Sequence, residues 1–125
     1  MARILVIDDD PDMRAMLEQM LRAAGHEVIS AMDGKAGVGL YRASPADLVM
    51  TDLFMPNQEG LETIIELRRE FPEVAITAMS GKTAADTMLS IAKRLGAVGT
   101  LQKPFFPLQL LCEVERALKL ETRTC

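Results

Sequence analysis

Two apolar runs in this chain end in acids. Ile4-Leu5-Val6-Ile7 runs into Asp8-Asp9-Asp10, and Leu48-Val49-Met50-Thr51 runs into Asp52, with Pro56 following closely. A short apolar run bounded by turn signals reads as a strand buried on both faces, as in a parallel sheet. The carboxyl end of such a strand is where an open α/β sheet places its binding crevice. If the two runs are neighbouring strands, three or four carboxylates meet at one rim. That crowding is unfavourable unless something positive sits among them. Oxygen-only ligands select a hard cation, and Mg2+ completes a carboxylate site with waters and phosphate oxygens.

Asp9 and Asp52 read as the ligands, because burial at a strand end makes an unpaired acid costly. Asp10 and Asp12 read as a helix cap and a solvated loop acid. Lys103 follows the last apolar run and precedes Pro104, which restricts its backbone. From the same rim it can act as a point charge for a phosphoryl oxygen. Three acids and one lysine leave two negative charges, matching a divalent ion. Ser80 closes another apolar run, with a hydroxyl able to donate to a phosphoryl oxygen, and Gly81 after it permits close backbone approach.

These residues need a scaffold, and the 125-residue chain has the size of one domain with its own core. Its formal charge of -4 gives no bulk support for nucleic acid or an anionic membrane as partner. No apolar run approaches the length of a membrane span. The start, with four apolar residues before three aspartates, reads as a strand and not a signal peptide. The two cysteines, Cys112 and Cys125, suggest neither a metal site nor a disulfide framework, so a reducing, cytoplasmic setting is expected.

Strand and helix patterns alternate throughout, as in a parallel sheet with helices on both faces. Asp10-Pro11 caps a first helix with Met13, Met16, Leu17, Met20 and Leu21 at helical spacing, and Gly25 ends it. Glu27 to Ala31 is a short strand, and Asp33 to Ser44 a weak helix, since Gly37 and Gly39 cost about 1 kcal/mol each. After the strand ending at Asp52, a turn from Asn57 leads into a helix carrying Leu61, Ile64 and Ile65. Val74 to Met79 is the next strand, Thr83 to Leu95 a helix, and Val98 to Gln102 the last strand. Lys103 to Pro107 turns into a final helix bearing Leu110, Leu111, Val114, Ala117 and Leu118. Strands one, three and four are continuously apolar, whereas two and five carry Ser30, Thr100 and Gln102. Buried strands belong in the middle, which predicts a flavodoxin-like, doubly wound five-stranded parallel sheet in the order 2-1-3-4-5.

The chain resembles the receiver domain of bacterial two-component response regulators. The resemblance rests on Ile4 to Asp10, on Asp52-Leu53-Phe54-Met55-Pro56 with Gly60-Leu61-Glu62, on Ala78-Met79-Ser80-Gly81, and on Gly96-Ala97 with Lys103-Pro104-Phe105. It implies a receiver domain over residues 1–121 and a short tail over 122–125. It further implies that Asp52 is the phospho-acceptor and that Asp9, Asp52 and the Phe54 backbone carbonyl bind Mg2+, with Asp8 assisting through water. Lys103 would contact the phosphoryl group, and Ser80 would be the switch hydroxyl. Thr77-Ala78 also resembles the family's hydroxyl-then-small pair, but Ser80 lies 28 residues after Asp52, nearer the family spacing than Thr77 at 25. Thr100 stands three residues before Lys103, where many receivers carry an aromatic ring. Phe54 and Lys82 occupy positions that tune phosphoryl lifetime in the family.

The partners implied are a sensor histidine kinase or histidine phosphotransfer protein upstream. Downstream, the face of helix 4, strand 5 and helix 5 would engage a protein target or a second copy of the chain. Neither nucleic acid nor membrane is expected as a direct partner. Catalysis would be confined to the domain's own phosphorylation and dephosphorylation. Two other readings compete. A haloacid-dehalogenase-like phosphatase would use Asp8 and Asp10, and a degenerate receiver would act as a plain binding module. The residues after Leu120 show no helix-turn-helix and no basic patch, as expected of a stand-alone regulator or of a fragment.

Overall fold

A computed structural model of the chain describes residues 2–53, 60–81 and 85–119. The run Leu48–Asp52 forms strand β3, with all five residues buried. It lies at the middle of a parallel sheet flanked by β1 (Arg3–Ile7) and β4 (Ile76–Ser80). Beyond β1 lies β2 (Glu27–Ala31), and beyond β4 lies β5 (Gly99–Gln102), so the order is 2-1-3-4-5 as expected. The helices between them are α1 (Pro11–Ala23), α2 (Gly34–Ala43), α3 (Gly60–Glu70), α4 (Ala85–Arg94) and α5 (Pro107–Ala117).

Side chains on a strand alternate between faces, and the core divides accordingly. Leu5, Ile7, Val49, Ile76 and Ala78 pack with Val38, Ile64, Leu67 and Ala92, covering the face of α2, α3 and α4. Ile4, Val6, Leu48, Met50, Met79 and Leu101 pack with Leu17, Leu21, Leu110 and Val114, covering the face of α1 and α5. Each large side chain taken fully from water stabilises the fold by about 1.5–3 kcal/mol. The central strands, buried twice over, therefore set the position of everything at their ends. The outer strands are half exposed, as their polar residues suggest.

The helix boundaries follow the capping chemistry. The Asp10 carboxylate accepts from the Asp12 amide, and Pro11 opens α1. The Asp33 carboxylate accepts from the Ala36 amide to start α2. Gly37, unfavourable by propensity, is explained by packing: a Cβ there would run into the Ile7 side chain. Strand β4 starts two residues later than expected, because the Val74 amide turns back to the Phe71 carbonyl at the exit of α3. The expected turn from Asn57 and the start of the fourth helix at Thr83 lie outside the described residues.

Cys112 on α5 is disulfide-bonded. The spacing of the two cysteines suggests no disulfide framework, and this bond corrects that expectation. Among the described residues no helix is long and apolar enough to cross a membrane.

Candidate functional site

The acids at the rim come together as the strand order requires. Ile7 pairs with Thr51 in register, so the residues that follow leave the sheet side by side. Asp8, Asp9 and Asp52 each offer a carboxylate oxygen within 4.8 Å of the others. Asp8 is fully buried: its amide donates to the Ala31 carbonyl at 3.1 Å, extending the ladder by one residue. Asp9 lies past that last rung and is exposed, which corrects the expectation that burial makes it costly. The buried acids are Asp8 and Asp52, the latter 7% exposed.

Lys103 reaches into this cluster from the end of β5. Its Nζ donates to Asp8 Oδ2 at 2.7 Å and stands 3.4 Å from Asp52 Oδ2. Burial pushes the Lys103 ammonium down, but Asp8 and Asp52 outweigh it, and the group is held above the ordinary lysine range. The other Asp8 oxygen accepts from the Asp10 amide at 3.0 Å, so both of its oxygens are engaged. Three carboxylates beside one ammonium leave a cluster of net charge about -2. Its donors are hard oxygens only, which fits Mg2+. The Phe54 carbonyl, expected among the ligands, lies outside the described residues, as does Lys82.

Ser80 is the last residue of β4 and fully buried. Its carbonyl accepts from the Lys103 amide at 2.7 Å, tying the β4 and β5 ends together next to the acids. Its hydroxyl makes one long contact, 3.4 Å to the Gly81 carbonyl, and is free to turn toward a better acceptor. Thr77 pairs in register with Met50, whereas Met79 pairs with Asp52. Thr77 is therefore two residues back from the rim, and Ser80 is the hydroxyl at it. Thr100 is on β5, half buried, in register with Ala78.

Two residues support the site: Arg14, which did not stand out in the sequence, and Gly60, which stood there only within the Gly60-Leu61-Glu62 stretch. Arg14, one turn into α1, donates from Nη1 to the Asp8 carbonyl at 2.7 Å. A cation placed just after a triple acid was the available signal. Gly60 opens α3 against the end of β3, and its amide donates to the Leu53 carbonyl at 3.2 Å. A Cβ on Gly60 would collide with the carbonyl oxygen of Asp52, so only glycine brings α3 this close.

Asp10, committed to capping α1, is not disposed as the second acid of a phosphatase pair. A doubly wound parallel sheet with a lysine-paired acid cluster at its carboxyl rim defines a signalling receiver. Residues 4–115 match the response regulator receiver domain, and the chain belongs to that family, the receiver domains of two-component response regulators. It is 36% identical over 119 residues to a probable transcriptional regulator, ycf27, of Porphyridium aerugineum, covering 94% of this chain and 48% of that one. It is 36% identical to the DNA-binding transcriptional regulator NtrC of Azospirillum brasilense, covering 97% of this chain and 25% of that protein. The chain thus spans about half or less of these curated relatives. Among solved structures, NtrX from Brucella abortus superposes with a TM-score of 0.90 at 30% identity, over 94% of this chain and 27% of that one.

Proposed function

We propose that Asp52 accepts a phosphoryl group from a phosphohistidine on a sensor histidine kinase or histidine phosphotransfer protein, and that residues 1–121 act as one receiver. A carboxylate oxygen of Asp52 forms the new P–O bond while the P–N bond to the donor imidazole breaks, its electron pair returning to the ring nitrogen. Lys103 carries the reading: its ammonium stands between Asp8 and Asp52, within reach of oxygens transferred onto Asp52. Such a preplaced cation favours the charge that develops during transfer. Mg2+ held by Asp9, Asp52 and the Phe54 carbonyl, with Asp8 through water, would add further charge stabilisation. The indirect role suits Asp8, since both of its oxygens already have partners.

Ser80 then turns its hydroxyl to the phosphorylated Asp52, shifting the population toward a state with a changed α4–β5–α5 face. With Thr100 there instead of a ring, the loop after Ser80 carries most of the response. That face signals to a protein target or a second copy in the cytoplasm, and catalysis is limited to the domain's own phosphorylation and dephosphorylation. Incubation with a small acyl-phosphate donor and Mg2+ should raise the intact mass by about 80 Da, and Asp52→Asn should abolish the gain. Full labelling of the Asp52→Asn protein would move the acceptor elsewhere.

A further inference from the structure

We infer that Glu113 and Thr77 form a proton-operated latch beneath α5, seating the helix on the sheet when the carboxyl is neutral and loosening it when the carboxyl is ionised. Thr77 lies two residues before Met79, so it shares the sheet face that packs against Leu110 and Val114 of α5. It is fully buried, and its Oγ1 has no hydrogen-bond partner. A buried hydroxyl left in that state costs stability. Its register partner on β5 is Gly99. A Cβ on Gly99 would run into Glu113 Oε2 and would lie 3.5 Å from Thr77 Oγ1. The missing side chain is therefore the space that the Glu113 carboxyl occupies, beside the orphaned hydroxyl.

Two directions are open to this carboxyl. Inward, a neutral carboxyl has one O–H to donate, and Thr77 Oγ1 is a buried acceptor in want of a donor. Outward lie the charges. Arg116 Nη1, on the same helix, donates to Glu113 Oε1 at 3.3 Å, and Lys93 of α4 lines the same groove. Neither β4 nor β5 carries a charged residue. The Arg116 side chain is 64% exposed and Lys93 is exposed too, so solvent screens both attractions. The Glu113 side chain is only 12% exposed. Burial prevails over the two cations and holds its carboxyl above the usual carboxylate range.

The folded chain thus takes up this proton more readily than the unfolded chain. The contribution to stability is fully present below the ordinary value of 4.5 and is lost as pH rises through the raised value. Ionisation favours the outward direction, toward Arg116 and Lys93, and vacates the space over Gly99. The helix then gives up the contact through which Glu113 spans β4 and β5. Glu113, Lys93 and Arg116 line the groove between α4 and α5 with Leu89 and Leu108, so the proton alters both its shape and its charge. That groove belongs to the face assigned above to signalling, and the consequence for output rests on the receiver reading. The latch does not.

The test is a carbon NMR titration of the full chain with isotope-labelled glutamate side chains, the Glu113 signal being the one lost in Glu113→Gln. Its midpoint should lie above 4.5, and amide shifts at Thr77, Gly99 and along α5 should follow the same midpoint. Amide protection along α5 should fall above it. Glu113→Gln, a neutral isostere, should keep the low-pH protection throughout and lose those shifts. Gly99→Ala puts a Cβ where the carboxyl sits, so it should bring the Glu113 midpoint down toward 4.5 and give the high-pH pattern. Should Gly99→Ala not fold, the comparison with Glu113→Gln decides alone. A parent midpoint at or below 4.5, α5 amides that do not follow the carboxyl, a pH response surviving in Glu113→Gln, or an unmoved midpoint in folded Gly99→Ala would each overturn the proposal. None of these readouts depends on labelling at Asp52, so a failure here is distinct from a failure of the phosphotransfer reading.

Discussion

Lys103 and Asp8 depend on each other more than either depends on solvent. Asp8 is fully buried and Lys103 is 16% exposed, so removing the ammonium leaves a buried carboxylate short of a partner. Lys103→Met should destabilise the metal-free protein by about 1–3 kcal/mol, read from urea unfolding in chelator. A neutral result would mean that Asp8 finds another donor. Because Lys103 is held above the ordinary lysine range, its contribution is fully present below a pH of about 10.5 and is lost as pH rises through the raised value. His26 behaves oppositely. Its Nδ1 accepts from the Ala2 amide at 3.1 Å, which needs the neutral ring, and burial holds its pKa below 6.5. The unfolded chain therefore binds the proton more readily, and this contribution is lost as pH falls below about 6.5 through the lowered value. The chain has one histidine, so its ring signals in an NMR titration are unambiguous. A midpoint at or above 6.5 would contradict the assignment.

At the scale of elements, Gly60 and Gly39 make opposite predictions for one substitution. Gly60→Ala forces a Cβ against the Asp52 backbone, so α3 and the end of β3 must part. It should cost about 1–3 kcal/mol and slow phosphoryl acceptance, measured by denaturation and by the rate of mass gain. Gly39 lies within α2 with open space at its Cβ position. Gly39→Ala should stabilise the protein by about 0.5–1 kcal/mol and leave the labelling rate unchanged. If both alanines acted alike, the close approach at Gly60 would not be what α3 requires. Elements were the most legible part of the sequence: Asp10 and Asp33 mark helix starts by their side-chain chemistry, and Ser30, Thr100 and Gln102 mark the outer strands. The ends of β4 were less so, since the Val74 turn depends on where α3 stops.

For the molecule as a whole, the acid cluster links metal binding to global stability. Asp9→Asn removes one charge from the cluster at nearly constant volume. The metal-free protein should become slightly more stable, less than for a buried acid because Asp9 is exposed and screened. The stabilisation that Mg2+ gives the parent should largely disappear, since ligand stabilisation follows affinity for the folded state. A denaturation series with and without Mg2+ on both proteins reads both effects, and a full Mg2+ response in Asp9→Asn would remove Asp9 from the metal site. The convergence of Asp8, Asp9, Asp52, Ser80 and Lys103 on one rim was legible because strand ends and strand order together determine it. Which of two adjacent acids is buried was not, because that depends on where the β1 ladder stops. Arg14 was hidden for a similar reason, as its role lies in a contact to a backbone carbonyl. One contact has a consequence for synthesis. Lys103 and Asp8 are separated by 95 positions in the chain. During synthesis the acids leave the ribosome long before their counter-charge does. The acids can meet their counter-charge only once β5 has joined the sheet, so a chain truncated before β5 would have to bring Asp8, Asp9 and Asp52 together without it.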